Sequence, residues 1–194
     1  KNKKSNICLQ KVIKKNNFLK VVIKIFKKKM ELYIKDINVY NVLTALAVLH
    51  ELKLSPNKIK SKLKKIEPSE GRGKRYDISR YKKKFKFIDE SYNANPLSVK
   101  NAINRFNLIK KEKFKKYLIL GDMLELGKKS EIFHKDLSKV INNSDIDKVF
   151  IKGNKTLITY KNIDKEKRGN IFQHEEDVDF TLNNIIANND YLMI

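Results

Sequence analysis

Apolar and basic residues alternate along positions 6–35, with Val21, Ile23 and Ile25 set against Lys20 and Lys24, the period of two that half-buried strands require. Two or three antiparallel strands are predicted there. From Asn38 the pattern changes. Val39, Val42, Leu43, Leu46, Ala47, Leu49 and Leu52 predict a helix that is apolar on more than one face and therefore buried in a larger body. Ser55 and Pro56 then open a shorter helix to about Ile66, with Ser as cap and Pro at the first helical position, where its missing N–H is harmless. Residues 67–75, among them Pro68, Gly71, Arg72 and Gly73, are rich in turn formers and charge and carry no periodicity. They read as a linker dividing a first domain, 1–70, from a second, 71–194.

Beyond the linker, apolar runs predict strands at 85–89, 117–120, 148–151 and 191–194. Between them lie helices opening at Asn95-Pro96, at Ser130 and near Glu175. Strands alternating with helices predict an α/β fold, a parallel sheet with right-handed crossovers. The chain starts on Lys1 and stops in the apolar run Tyr191-Leu192-Met193-Ile194, which reads as a sequence cut at both ends.

A length of 194 residues suits one ordinary domain plus a piece of another. Lys and Arg number 44 against 22 Asp and Glu, a formal charge of +22 that by itself points to a polyanionic partner. The lysines nevertheless occur in every segment, Trp is absent, and Asn and Ile rise with Lys, so the charge reads as compositional background and no nucleic acid partner is expected. Cys8 is the single cysteine, which excludes an internal disulfide and favours a reducing, cytoplasmic setting. No run reaches the ~18 apolar residues of a membrane span, and residues 1–10 lack the apolar core of a signal peptide.

In an open α/β sheet ligands bind beyond the carboxyl ends of the strands, which singles out two loops. One is Asp89-Glu90-Ser91-Tyr92-Asn93-Ala94-Asn95-Pro96, ending at a helix N-terminus with free N–H groups. The other is Gly121-Asp122-Met123-Leu124-Glu125-Leu126-Gly127, a glycine-bracketed loop with two carboxylates. If their strands are neighbours, both loops line one edge. Each feature also has a purely structural reading: Asn95 is an excellent helix cap and the glycines are ordinary turn residues. His134 borders an apolar helical stripe and suits a packed histidine as well as a ligand contact. No Cys/His cluster has metal-ligand spacing and no Ser is paired with a base, so zinc chemistry and covalent catalysis are dropped and no metal-binding residue is assigned. Two stretches imitate a phosphate-binding loop: 121–128 is a residue too long, and Gly153-Asn154-Lys155-Thr156 lacks the leading glycine.

The string Ile88-Asp89-Glu90-Ser91-Tyr92-Asn93-Ala94-Asn95-Pro96, followed by Leu120-Gly121-Asp122-Met123-Leu124-Glu125-Leu126-Gly127, resembles the dipeptide-adding type of the Mur ligase family. Asn38-Val39-Tyr40-Asn41 resembles the family's paired asparagines, Gly71-Arg72-Gly73 its interdomain arginine segment, and His134 follows the glycine loop as in relatives. The resemblance covers about 36–160 well. It implies a Rossmann-like carboxy-terminal domain at 71–194, preceded by the end of a central ATPase domain, in a fragment without the amino-terminal domain and phosphate loop.

The activity implied is ATP-dependent joining of D-alanyl-D-alanine to UDP-N-acetylmuramoyl-tripeptide through an acyl phosphate, in peptidoglycan synthesis, with ATP and Mg²⁺ held mostly outside this sequence. A cytoplasmic monomer is expected, inactive as this fragment alone. Carried over by position, Asn38 and Asn41 would lie on the adenine and ribose side, and Arg72 would be the catalytic cation reaching the phosphates as domains close. Asp89 or Glu90 would hold the ribose, Asn93 and Asn95 would order the nucleotide loop, and Asp122, Glu125 and His134 would face the dipeptide. The alternatives are another Mur-fold ligase, adding a different amino acid or polyglutamate, and a basic nucleic-acid-binding module.

Overall fold

A computed structural model describes residues 5–15, 18–35, 38–60 and 62–194 and divides the chain into two compact units, Lys1–Pro68 and Ser69–Ile194. Positions 1–4, 16–17, 36–37 and 61, which fall within the segments read above as first domain, antiparallel strands, start of the resemblance and second helix, lie outside the described residues.

In the first unit, β1 (Ile7–Lys15), β2 (Phe18–Ile25) and β3 (Lys28–Ile34) form an antiparallel sheet in that order. Alternation sends Val21, Ile23, Ile25, Leu32 and Ile34 to one face. There they pack with Val42 and Leu46 of helix α1 (Val39–Glu51) and with Leu63. Asn38 caps α1, its side-chain oxygen accepting from the Tyr40 N–H at 2.9 Å. The burial expected around this helix is only partial: Val42 and Leu46 are buried, whereas Val48 and Leu52 are 52% and 63% exposed. The second helix is shorter than expected. Helix α2 covers Asn57–Lys60 and a 3₁₀ turn Lys62–Lys64.

The second unit is a six-stranded sheet in the order β4-β5-β9-β6-β7-β8. Strand β4 (Lys74–Arg80) is antiparallel to β5 (Lys83–Asp89); β9 (Tyr191–Met193), β6 (Lys116–Gly121), β7 (Lys148–Lys152) and β8 (Arg168–Ile171) continue parallel to β5. The parallel α/β expectation is met. The linker expectation is corrected at its end, since Lys74 and Arg75 already belong to β4.

Residues of β6 point alternately to two cores. Leu118 and Leu120 meet α3 (Pro96–Asn107) and α4 (Ser130–Asn142), while Tyr117 and Ile119 meet α6 (Glu175–Ile185). Burial on both faces is why the strand reads as an unbroken apolar run. Helices α3, α4 and α5 (Thr156–Asn162) lie on one face as the chain steps outward from β5 to β8. To return, the chain must cross by the other face if the crossover is to stay right-handed. Helix α6 does this and delivers β9 between β5 and β6, creating the reversal of strand order at which open α/β sheets bind ligands.

Candidate functional site

Strands β5 and β6 are not neighbours, as the condition on the two loops supposed; β9 lies between them. The loops meet all the same, across its end. Together with α3 they enclose a cleft of ≈ 350 Å³ with a floor of Ala102, Ile103, Leu118 and Met193 and a rim that includes Glu90, Asn93 and Asp122. An apolar floor with a few polar groups at its rim is the usual form of a small-ligand site.

Asp89 closes the first loop from within. One oxygen accepts from the Gly71 N–H at 2.8 Å, and the other from the Ser91 hydroxyl at 2.6 Å and the Ser91 N–H at 3.1 Å. Burial pushes its pKa up. The Ser91 and Gly71 hydrogen bonds and the charge of Lys74 outweigh that, leaving Asp89 below the usual carboxylate range. Glu90 points elsewhere, pairing with Arg105 of α3 and lining the cleft.

Gly71 has φ +71°, and a Cβ there would stand 2.6 Å from that of Tyr92, so only glycine permits this approach. The turn it makes sets the guanidinium of Arg72 4.2 Å from the centre of the exposed Tyr92 ring, within cation–π range. Arg72 thus lies against Tyr92, a residue that lines the cleft. Asn93 lines the cleft. Asn95 caps α3 in a reciprocal box: its side chain accepts from the Leu97 and Ser98 N–H groups at 3.1 and 2.9 Å, and Ser98 Oγ accepts from the Asn95 N–H at 3.0 Å.

The second loop is fastened by Asp122 and His134. Asp122 Oδ1 accepts from the N–H groups of Lys155 and Thr156 at 3.0 and 2.8 Å and from the Thr156 hydroxyl at 3.0 Å, which caps α5 from another loop. Burial raises its pKa, but those hydrogen bonds pull it below the carboxylate range. Gly153, part of the rejected phosphate-loop imitation, is what admits this carboxylate: its φ is +125°, and a Cβ would lie 2.4 Å from Asp122 Oδ1.

His134 is fully buried. Its Nδ1 lies 2.8 Å from the Ser130 carbonyl and its Nε2 3.2 Å from the Met123 N–H, an arrangement that a neutral ring satisfies by donating from Nδ1 and accepting at Nε2. It shapes the loop from beneath. Glu125 is exposed, at φ +60°. Asn38 and Asn41 belong to the first unit, both exposed at the start of α1.

The sequence reading missed three parts of the site: the Arg105 partner of Glu90, the Thr156 cap on Asp122, and the terminal strand as part of the floor. Gly153 was the available signal for the second. Among the described residues no group of three or more His, Cys, Asp or Glu is arranged to hold a metal ion, and no helix is long and apolar enough to cross a membrane.

The family profile described as Mur ligase, glutamate ligase domain, matches residues 74–191. A UDP-N-acetylmuramoyl-tripeptide–D-alanyl-D-alanine ligase of Bacillus subtilis is 34% identical over 116 residues, 60% of this chain and 24% of that protein. The enzyme of the same description from Buchnera aphidicola subsp. Baizongia pistaciae is 29% identical over 158 residues, 81% of this chain and 32% of that protein. The alignments thus span about a quarter to a third of these relatives. Among solved structures, the Thermotoga maritima MurF ligase in complex with ADP superposes with a TM-score of 0.78 at 17% identity, over 98% of this chain and 43% of that one. A MurF from Acinetobacter baumannii gives 0.78 at 18% identity, over 99% and 42%.

Proposed function

Because the chain belongs to the Mur ligase family, through the glutamate ligase domain, we propose that it supplies the nucleotide-closing and acceptor side of an ATP-dependent ligase that joins D-alanyl-D-alanine to UDP-N-acetylmuramoyl-tripeptide. Residues 1–70 are then the end of the central ATP-binding domain, and 71–194 the carboxy-terminal domain. The observation that carries this reading is the convergence of the two loops resembling the dipeptide-adding type on one cleft, with Arg72 held against Tyr92 of its lining. Fold likeness alone supports less, since a UDP-N-acetylmuramate-alanine ligase from Thermotoga maritima also superposes, with a TM-score of 0.71 at 15% identity.

In this reaction the tripeptide carboxylate, activated as an acyl phosphate, is attacked by the dipeptide amine, and the tetrahedral intermediate collapses to the amide with loss of phosphate. Arg72 neutralises charge on the phosphates, and its planar fork suits paired phosphate oxygens. The apolar floor of the cleft keeps water from the acyl phosphate. Glu90 is the better ribose ligand of the two acids, because both oxygens of Asp89 are already engaged, one by Gly71 and one by Ser91. Asn93 faces the nucleotide directly, whereas Asn95 acts through the cap it gives α3. Asp122 and Glu125 face the dipeptide, with His134 acting through the Met123 amide. ATP and Mg²⁺ are assigned chiefly to residues outside this sequence; the described residues do not form a site for the metal, and no step is derived through it.

The Arg72→Ala substitution, in the ligase polypeptide carrying this sequence, tests the assignment. We expect kcat/KM to fall by about a hundredfold, the scale of losing one charge-stabilising group, with the melting temperature unchanged. Unaltered kinetics would remove Arg72, and with it the carrying observation, from the mechanism.

A further inference from the structure

Charge is unequally shared between the units. Residues 1–68 hold 18 Lys, no Arg and 4 acidic residues, while residues 69–194 hold 26 Lys and Arg against 18 acidic residues. Much of the +22 thus has a location, a correction to its reading as even background. Strand register shows where part of it goes. With Val21, Ile23 and Ile25 turned inward, alternation turns Lys20, Val22 and Lys24 of β2 outward. Their partners follow: Lys11 lies opposite Val22 on β1, and Glu31 and Lys29 lie opposite Val22 and Lys24 on β3. The outer face thus gathers Lys11, Lys20, Lys24 and Lys29 around a single carboxylate, Glu31, which Lys20 holds at 2.9 Å.

Lys24 and Lys29 are directly paired across strands. Like charges so placed destabilise a sheet, and a negative partner relieves them. Exposed Lys27 and Lys28 extend the charge into the hairpin turn. Four ammonium groups on one face cannot be covered by a dry protein interface without large desolvation cost.

We propose that this outer sheet face docks on an anionic lipid bilayer. Lysine, a mobile point charge, suits a diffuse field of headgroups, whereas arginine, which grips phosphates and base edges with paired donors, is absent from residues 1–68. The alternation also turns Phe18 outward, 38% exposed, and an aromatic ring fits the interfacial depth of a membrane. The surface is independent of the ligase reading, and neither stands or falls with the other.

Co-sedimentation of the full chain with phosphatidylcholine vesicles, with and without phosphatidylglycerol, tests it. Binding should need the anionic lipid and weaken with salt. The triple variant Lys11→Gln, Lys24→Gln, Lys29→Gln should lose on the order of a hundredfold in partition, each ammonium contributing about a fivefold change. A matched triple in the second unit, Lys100→Gln, Lys113→Gln, Lys135→Gln, should lose far less. Glu31→Gln, which leaves every lysine in place, should bind more tightly and gives a second readout if the first triple does not fold. Equal losses in the two triples, no response to phosphatidylglycerol, or preference of the chain for single-stranded RNA over vesicles would each overturn the proposal.

Discussion

Asp89 and Asp122 hold the site together by the same means, a carboxylate at or just past the end of a strand that accepts several short hydrogen bonds, Asp89 from Gly71 and Ser91 and Asp122 from Lys155 and Thr156. Both have pKa values below the usual range, so each contributes stability that is present above the ordinary carboxylate pKa of about 4 and is lost as pH falls through the depressed folded value. Replacing Asp122 by Ala should therefore lower unfolding free energy by about 2 kcal/mol at neutral pH, the scale of hydrogen bonds to a charged group. It should also flatten the loss of stability between mildly and strongly acid solution. Denaturant melts across that range measure both, and an unchanged acid slope would show that Asp122 is not the titrating clamp. At this scale the sequence marked which residues matter but not how. Asp89, Asp122 and His134 all stood out as ligand candidates, and all three are also held by the protein's own backbone; for the two carboxylates this was hidden because Gly71 and Thr156 lie far away along the chain.

Elements were readable where local chemistry and packing agree. Strand β6 announces itself by burial on both faces, and α3 by an Asn-Pro start whose cap is fully satisfied. The Asn95→Ala variant should cost about 1 kcal/mol and speed amide exchange at Leu97 and Ser98; exchange as slow as in the parent would mean that the cap does not order the loop. Three elements escaped notice for physical reasons. Strand β4 is an edge strand alternating exposed Arg75, Asp77 and Ser79 with half-buried Lys74, Tyr76 and Ile78, and its charge and preceding glycines make its start look like a linker. Helix α5 has seven residues and no cap of its own, because Asp122 supplies it from another loop. Strand β8 has only four residues, Arg168-Gly169-Asn170-Ile171, without an apolar run.

For the molecule as a whole, the decisive feature is the return of the chain through α6 to place β9 between β5 and β6. No local pattern in the sequence encodes that order; it follows from crossover handedness and from the pairing of Leu192 and Met193 with strands on both sides. It brings the two loops to one cleft although their strands do not touch. The same level holds the unequal charge of the two units, which composition averaged over 194 residues concealed.

On the proposed function, this cleft serves the addition of a dipeptide to an activated tripeptide. The most direct measurement is product mass from the ligase polypeptide carrying this sequence, incubated with ATP, Mg²⁺, UDP-N-acetylmuramoyl-tripeptide and an equimolar mixture of D-alanyl-D-alanine, single amino acids and glutamate. One product is expected, the tripeptide extended by both alanines, with phosphate released in step. Extension by a single residue or by a glutamate chain would contradict it and assign the cleft to another reaction of the same fold.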